Sequence, residues 1–383
     1  MASSIEWLQG GETWNPIRAR MKYSKVPPNQ KKAAVLEELK VIPAGKVGWA
    51  CVHASPGCLH CYAEKQNVQC GTNKTRYGTG LKYDVPSLDQ VEIFLDEETL
   101  YQPMHWRKGR LIFPCSMTDW MADFVPDEFR DKMLVVMART PQHTYLTLTK
   151  RADRQRAFLA RYRVGNVKLG WHTLDGKDPK AYGGEAEQLF GIWPLPNLWL
   201  GTSCENQEWA DKRIPDLLAT PAAIRWVSAE PLLGPLAIQS HLSINPALQP
   251  HTTQVLNIWQ GLDWVVAGGE SGGKARPMHP HWARSLRDQC QASGVPFFFK
   301  QWGEYRPTSL VGQAAGCFIG DRWQSEIPNN PGGPPYYAGD FPEKYPTLTP
   351  LCMMARVGKK AAGRTLWFKE WSEYPIQTAK GRP

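Results

Sequence analysis

Short continuous apolar runs, each closed at once by polar, glycine-rich or charged residues, recur along the chain at 111–115, 144–148, 198–202, 224–228, 264–267 and 295–299. They lead into SMTD, TKR, SCENQ, AEPLLGP, GGESGGKARP and KQWGE in turn. Between them the period changes. Phe129, Met133 and Met137 recur at i, i+4 and i+8 behind Pro126, and Trp282, Leu286 and Cys290 repeat that spacing ahead of Gly294. Brief apolar runs separated by helical stretches predict buried parallel strands joined by crossover helices. Pro126 suits a first helical turn and Gly294 a helix end, which makes Cys290 a core residue. A first strand is expected at 47–50, with a helix starting after Cys61.

Two segments break the rhythm, at about 163–196 and 240–261, and read as insertions. Residues 1–46 read as a lead-in or surface insertion, with a short helical pattern at 33–39. Beyond Glu304 the sequence PNNPGGPPYYAGDFPEKYPTLTP predicts extended or loop-like chain rather than another strand–helix unit. Residues 305–383 are therefore expected to form an extension, closing on a basic, aromatic tail that includes Lys359, Lys360, Arg364, Trp367 and Trp371.

Composition narrows the class of protein. The chain has 383 residues, and 45 basic against 36 acidic side chains give a net charge of +9, which favours a polyanionic partner. No run approaches the ~18 apolar residues of a membrane span, and the start of the sequence carries no basic apolar leader. Nine cysteines without a regular framework point to a reducing cytoplasm rather than to structural disulfides. The 17 tryptophans are expected mostly in the core, with some partly exposed.

Candidate chemistry begins at 47–64, VGWACVHASPGCLHCYAE, where Cys51, Cys58 and Cys61 stand at a C-x6-C-x2-C spacing in a turn-rich loop. Three thiolates on one loop suit an iron–sulfur cluster held at three irons, or a zinc ion completed by His53 or His60 as a Cys3His site. Parallel-strand folds build their sites at the carboxyl ends of strands. Those ends carry Ser116 with Asp119, Lys150 with Arg151, Ser203 with Glu205, Glu230, Glu270 and Lys300. Such groups are expected to converge near the cysteine loop, although Asp, Ser and Thr also cap helices.

The motifs TWNP, SPGCLHCYAE, SMTDWM with VPDEF, TPQHTYLTLTKR, WLGTSCENQ, AEPLLGP, VVAGGESGGKARPMHP, VPFFFKQWG and VGKKAAGR occur in that order over residues 5–305 and 351–376. In this the chain resembles the phage and bacterial three-cysteine-motif proteins, which are placed with the radical S-adenosylmethionine enzymes and are distantly similar to spore photoproduct lyase. The resemblance implies an α/β fold built on a partial TIM-type (β/α)6 barrel of parallel strands, here over 47–304. It also implies a [4Fe–4S] cluster on Cys51, Cys58 and Cys61, S-adenosylmethionine as cofactor, and an external flavodoxin- or ferredoxin-like electron donor. The first cysteine gap is six residues rather than the three of the best-known radical signature, so the loop is longer.

On that resemblance Tyr62 would flank the adenine. Ser116, Asp119, Ser203 and Glu205 would meet the methionyl or ribose groups, and Lys150 or Arg151 the carboxylate. Gly268 and Gly269, ahead of Glu270, resemble the glycine-rich cofactor motif of these enzymes. Glu230, Glu270 and Lys300 are the catalytic candidates on the substrate side, and Cys115 or Cys204 could donate a hydrogen atom. The expected reaction is radical modification or repair of a DNA base or nucleotide, with a partner protein able to deliver the substrate. A peptide or small metabolite is the alternative substrate, and a zinc-binding nucleic-acid-binding protein without catalysis the alternative function.

Overall fold

The computed structural model describes residues 5–8, 10–22, 47–72, 78–162, 193–241, 261–307, 317–319, 322–324 and 354–375. The expected insertions lie outside these residues except at their edges, as do the helical pattern at 33–39 and Cys352. Four strands precede the main run: β1 (Glu12–Trp14), β2 (Ile17–Met21), β3 (Val47–Gly48) and β4 (Val91–Leu95). Six more follow at the apolar runs: β5 (Leu111–Pro114), β6 (Thr144–Thr149), β7 (Leu198–Ser203), β8 (Ile224–Ala229), β9 (Trp264–Gly268) and β10 (Phe297–Gln301).

One seven-stranded sheet has the order β1-β5-β6-β7-β8-β9-β10. Pairing is parallel at β1–β5 and β5–β6, and again through β7, β8, β9 and β10. From β5 onward neighbours in space are neighbours in sequence, without the reversal that marks a doubly wound sheet. This mixed α/β order is consistent with a partial TIM-like fold. Every residue of β7 and β9 is buried, which explains why these strands read as continuous apolar runs instead of alternating ones.

One strand expectation is corrected. Residues 47–50 do not open the parallel sheet: Val47 and Gly48 pair antiparallel with β2, in a separate three-stranded sheet of order β3-β2-β4. The first parallel strand is instead β1, set against β5 with Trp14 opposite Pro114. Its three residues, one of them charged, form no apolar run that sequence pattern could detect.

The helices of eight residues or more among the described residues are α1 (Tyr62–Thr72), α2 (Asp127–Arg139), α3 (Ala152–Leu159), α4 (Gln207–Leu218) and α5 (Pro280–Ser293). Met133 and Met137 of α2 are fully buried, and Trp282, Leu286 and Cys290 form the buried stripe of α5. Gly294 ends α5 in the left-handed conformation at φ 69°, as its position predicts. None of the described helices is long and apolar enough to cross a membrane.

The chain divides into two compact units, Met1–Leu198 and Trp199–Pro383. The first packs Trp7, Trp14, Trp120, Met133 and Tyr145; the Trp14 Nε1–H donates to the Thr99 carbonyl at 2.7 Å. In the second unit Trp226 and Trp264 stack at 5.4 Å beside Phe297 and Phe298. Truncating any one of these buried rings would cost about 3–5 kcal/mol.

The described part of the C-terminal extension is paired within the second unit. Tyr305–Pro307 pairs antiparallel with Met354–Arg356. Residues 371–373 run beside β10, where the Phe299 N–H donates to the Trp371 carbonyl at 3.0 Å and Phe298 bridges Ser372. The tail thus covers an edge that would otherwise present unpaired backbone. Between these contacts Thr365–Leu366 and Lys369–Glu370 form a hairpin whose two turn residues, Trp367 and Phe368, have φ of 54° and 64°. That conformation costs a non-glycine residue about 1–2 kcal/mol.

Candidate functional site: the cysteine loop and the strand ends

In the first unit the cysteine loop runs from β3 to α1. Its start is clamped by Asn67 of α1, a fully buried side chain. Its Oδ1 accepts from the Trp49 and Thr79 N–H groups at 3.0 and 3.1 Å, and its Nδ2 donates to Thr79 Oγ1 and the Leu81 carbonyl. Gly48 has to be glycine, because a Cβ there would lie 2.5 Å from Asn67 Oδ1 and from the Thr79 nitrogen. At the other end Cys61 stands directly before α1, and its sulfur receives the free N–H groups of Glu64 and Ala63.

The other two sulfurs also meet backbone groups. The Ala54 N–H points at Cys58 Sγ at 3.4 Å, while the Cys51 thiol donates to the Val52 carbonyl at 3.8 Å and feels the Asp119 backbone. Cys51 and Cys61 pack against Ala63, Tyr83 and Met117. Burial, reinforced by Asp119 and opposed by Arg151, pushes the Cys51 thiol up to about 12. Burial also raises Cys61, against the pull of the Glu64 and Ala63 N–H groups and the charge of Lys150. Both would be thiols until a metal displaced their protons.

This donor set fits an iron–sulfur cluster in kind: three soft sulfur ligands on one loop, an apolar wall, and N–H groups directed at the sulfurs, one of the features that tunes such centres. Among the described residues no three His, Cys, Asp or Glu side chains are gathered as the ligands of a single ion. His53 is engaged elsewhere, with its Nε2 2.9 Å from Glu64 Oε2. Glu64 also accepts the Tyr83 N–H at 2.8 Å, so it ties both the loop, at His53, and the segment at Tyr83 to α1.

Asp119, expected as a cofactor contact, is the anchor of this unit. Its Oδ1 accepts from Met121 N–H and Thr149 Oγ1 at 2.9 and 2.7 Å. Its Oδ2 accepts from the Lys150 N–H and Arg151 Nη1 at 2.9 and 3.0 Å. Arg151 then reaches the Val52 carbonyl at 3.0 Å, one residue beyond Cys51. The Thr118 hydroxyl donates to the Ala50 carbonyl on the other side of Cys51. Ser116 is bonded to Asn15 Oδ1 at 3.2 Å, and the exposed Tyr62 donates its hydroxyl proton to the Ser116 carbonyl. Cys115, at the end of β5, is buried, with φ at 55°.

The second unit gathers the remaining strand-end residues into three charge pairs. Glu205, fully buried, accepts from Arg213 Nη1 at 3.0 Å, and the same nitrogen bonds the Ser203 carbonyl at 2.8 Å. Glu270 holds Arg276 by two oxygens, at 2.6 Å from Nη2 and 2.8 Å from Nε. Glu230 lies 3.2 Å from Lys300 Nζ and accepts from the Ser228 hydroxyl at 3.2 Å.

Glycine makes the third pair possible. Register sets Ala229 of β8 opposite Ala267 of β9, and Lys300 falls where the β9–β10 register shifts. Glu230 therefore has to pass over β9 to meet Lys300. It does so at Gly268, where a Cβ would stand 2.5 Å from Glu230 Oε1. Gly269 has a different reason for being glycine, since a Cβ there would lie 1.9 Å from the Trp302 carbonyl oxygen. Close backbone and side-chain approach accounts for both glycines.

The residues that hold the loop, Asn15, Glu64, Asn67 and Thr118, were not among the sequence candidates. Two left a signal. Asn15 lies in the TWNP motif, and Glu64 falls three residues after Cys61, the spacing at which a helix N3 residue reaches back across its cap.

No curated protein and no solved structure matches the chain in comparisons with known proteins. One family does match, over residues 46–375, from just before the cysteine loop to the strand that covers β10, and the chain therefore belongs to DUF5131, a family described as "Protein of unknown function".

Proposed function

We propose that the protein holds a [4Fe–4S] cluster on Cys51, Cys58 and Cys61 and works as a radical S-adenosylmethionine enzyme on a nucleic-acid base or nucleotide. The observation that carries this reading is the cysteine loop, with three thiols on one short segment, a backbone N–H bonded to Cys58, and a frame of buried side chains fixing the loop at both ends. Reductive cleavage of S-adenosylmethionine to methionine and a 5′-deoxyadenosyl radical is the chemistry such a cluster supplies when bound.

The chain's own residues would then divide the work. Asp119 and Arg151 fix Cys51 through the Val52 carbonyl. Lys150, whose charge is felt at Cys61, is placed to meet a carboxylate. In the second unit Glu230 is the strand-end acid suited to moving a proton, since it is half-buried and touches both a hydroxyl and an ammonium group. The nucleic-acid substrate is supported by the net charge of +9. Zinc is the weaker reading, because His53 is bonded to Glu64 rather than turned to the sulfurs.

The test is anaerobic reconstitution followed by iron and sulfide analysis, then reduction with S-adenosylmethionine and detection of 5′-deoxyadenosine. Iron and sulfide in equal amounts together with 5′-deoxyadenosine are expected, and Cys58→Ala should lose both. A colourless protein that takes up one zinc and no iron would sink the proposal. Cofactor cleavage stimulated by a peptide or small metabolite, and not by DNA, would move the substrate to that class.

A further inference from the structure

The hairpin at residues 365–370 is built against its own turn chemistry. A two-residue turn with positive φ at both central positions favours Asn-Gly, yet Trp367 and Phe368 occupy it. Neither ring is buried in return: Trp367 is 59% exposed and Phe368 79%, the two most exposed tryptophan and phenylalanine side chains among the described residues. Strained backbone that also presents two large aromatics to water gives the folded chain no stability, which points to a contact made outside it. The base of the hairpin is firm, with Leu366 buried and the Trp302 Nε1–H donating to the Thr365 carbonyl at 3.0 Å.

The charges around the tip select the partner. Arg284 lies over the Trp367 ring at 4.8 Å, and its Nε is buried with no hydrogen-bond partner among the described residues. Lys369, next to Phe368, rests on the Trp371 ring at 4.1 Å and has no carboxylate partner among the described residues. The neighbouring acids are already matched, Glu370 to Arg364 and Asp288 to Arg287. Two exposed rings, set edge to face at 6.0 Å, beside cations with no carboxylate partner among the described residues, are the elements of single-strand recognition, in which bases stack on aromatics and phosphates meet basic groups.

We infer that the Trp367–Phe368 turn is a stacking platform for a single-stranded stretch of nucleic acid, with Arg284 and Lys369 neutralising its phosphates. This rests on the nucleic-acid reading of the substrate and deepens it by naming the element that engages the strand. A platform of this kind recognises unpaired bases without regard to sequence and prefers single strands to duplex.

The experiment is fluorescence anisotropy with a labelled mixed-sequence single-stranded oligonucleotide, its duplex and anionic vesicles, using the full chain without S-adenosylmethionine. The key variant is W367N/F368G, which installs the preferred turn and should melt at or above the wild-type temperature, so a loss of binding cannot be assigned to misfolding. Expected are tighter binding of the single strand than of the duplex and a loss on the order of tenfold for each ring removed. Arg284→Gln should lower the slope of log affinity against log salt by about 0.7. Unchanged affinity in W367N/F368G, wild-type binding to vesicles alone, or no single-strand binding at low salt would overturn the inference. A protein that makes 5′-deoxyadenosine and fails this assay loses the platform and keeps its radical chemistry; one that passes without making 5′-deoxyadenosine keeps only the platform.

Discussion

The two units use the polar residues at their strand ends in opposite ways. In the first, one carboxylate, Asp119, gathers four donors and through Arg151 holds a loop by its backbone. In the second, three carboxylates each take one basic side chain, and the pairs differ mainly in depth. Side-chain exposure is 0% and 4% for Glu205 and Arg213, 5% and 20% for Glu270 and Arg276, and 14% and 20% for Glu230 and Lys300. A polar strand end can thus be a brace for a neighbouring loop, a buried structural pair, or a partly buried pair that water still reaches. Only the last kind has the access that reaction on a substrate requires.

The sharpest way to break this comparison is to remove one carboxylate charge from the deepest pair. Glu205→Gln leaves the Arg213 charge buried with only a neutral carbonyl, that of Ser203, and the Trp209 ring beside it among the described residues, and stability should fall by about 3–5 kcal/mol. Glu230→Gln, made at a pair that water still reaches, should cost under about 1 kcal/mol. Thermal melts of both variants decide the matter. Equal losses would mean that Glu230 is as structural as Glu205, and its assignment as a catalytic candidate would go.

A smaller effect is expected at the brace. Asp119→Asn would turn an amide NH2 toward either the Lys150 N–H and Arg151 or Met121 and Thr149, so donors would face donors at a cost of about 1–3 kcal/mol. The loss of iron after reconstitution should be out of proportion to that cost, because the Arg151 contact beside Cys51 would be released. If the melting temperature falls while iron content holds, Asp119 supports the fold and not the loop.

What sequence pattern revealed follows the same division. The six apolar runs became β5 to β10, and the helical stripes of α2 and α5 fell where the spacing put them, because burial on both faces leaves an unbroken apolar signal. β1 escaped notice because Glu12–Trp14 is three residues long and two of them are polar, and 47–50 was misplaced because adjacency to the cysteines says nothing about which sheet a strand joins. The residue types at the strand ends were legible, whereas their partners were not. Asp119 finds Arg151 through the pairing of β5 with β6, and Glu230 finds Lys300 70 positions away across a third strand. In the tail, basic and aromatic composition was visible, but the hairpin that exposes Trp367 while Trp371 is half-buried depends on backbone pairing.

The mildest test lies at the glycine beneath the Glu230–Lys300 pair. At Gly269 a new Cβ would meet the backbone of Trp302 at 1.9 Å and would disturb the fold, but at Gly268 the obstacle is Glu230 Oε1, the far end of a flexible side chain. Gly268→Ala should therefore cost under about 1 kcal/mol in stability while pushing Glu230 away from Lys300, since a side chain rotates more readily than a backbone shifts. Turnover of substrate should fall while iron content and uncoupled 5′-deoxyadenosine formation stay at wild-type levels. That pattern would place Glu230 on the substrate side of the reaction. A fall in 5′-deoxyadenosine itself would connect the pair to the cofactor, and an unchanged turnover would leave it a surface ion pair like Lys212 with Glu208.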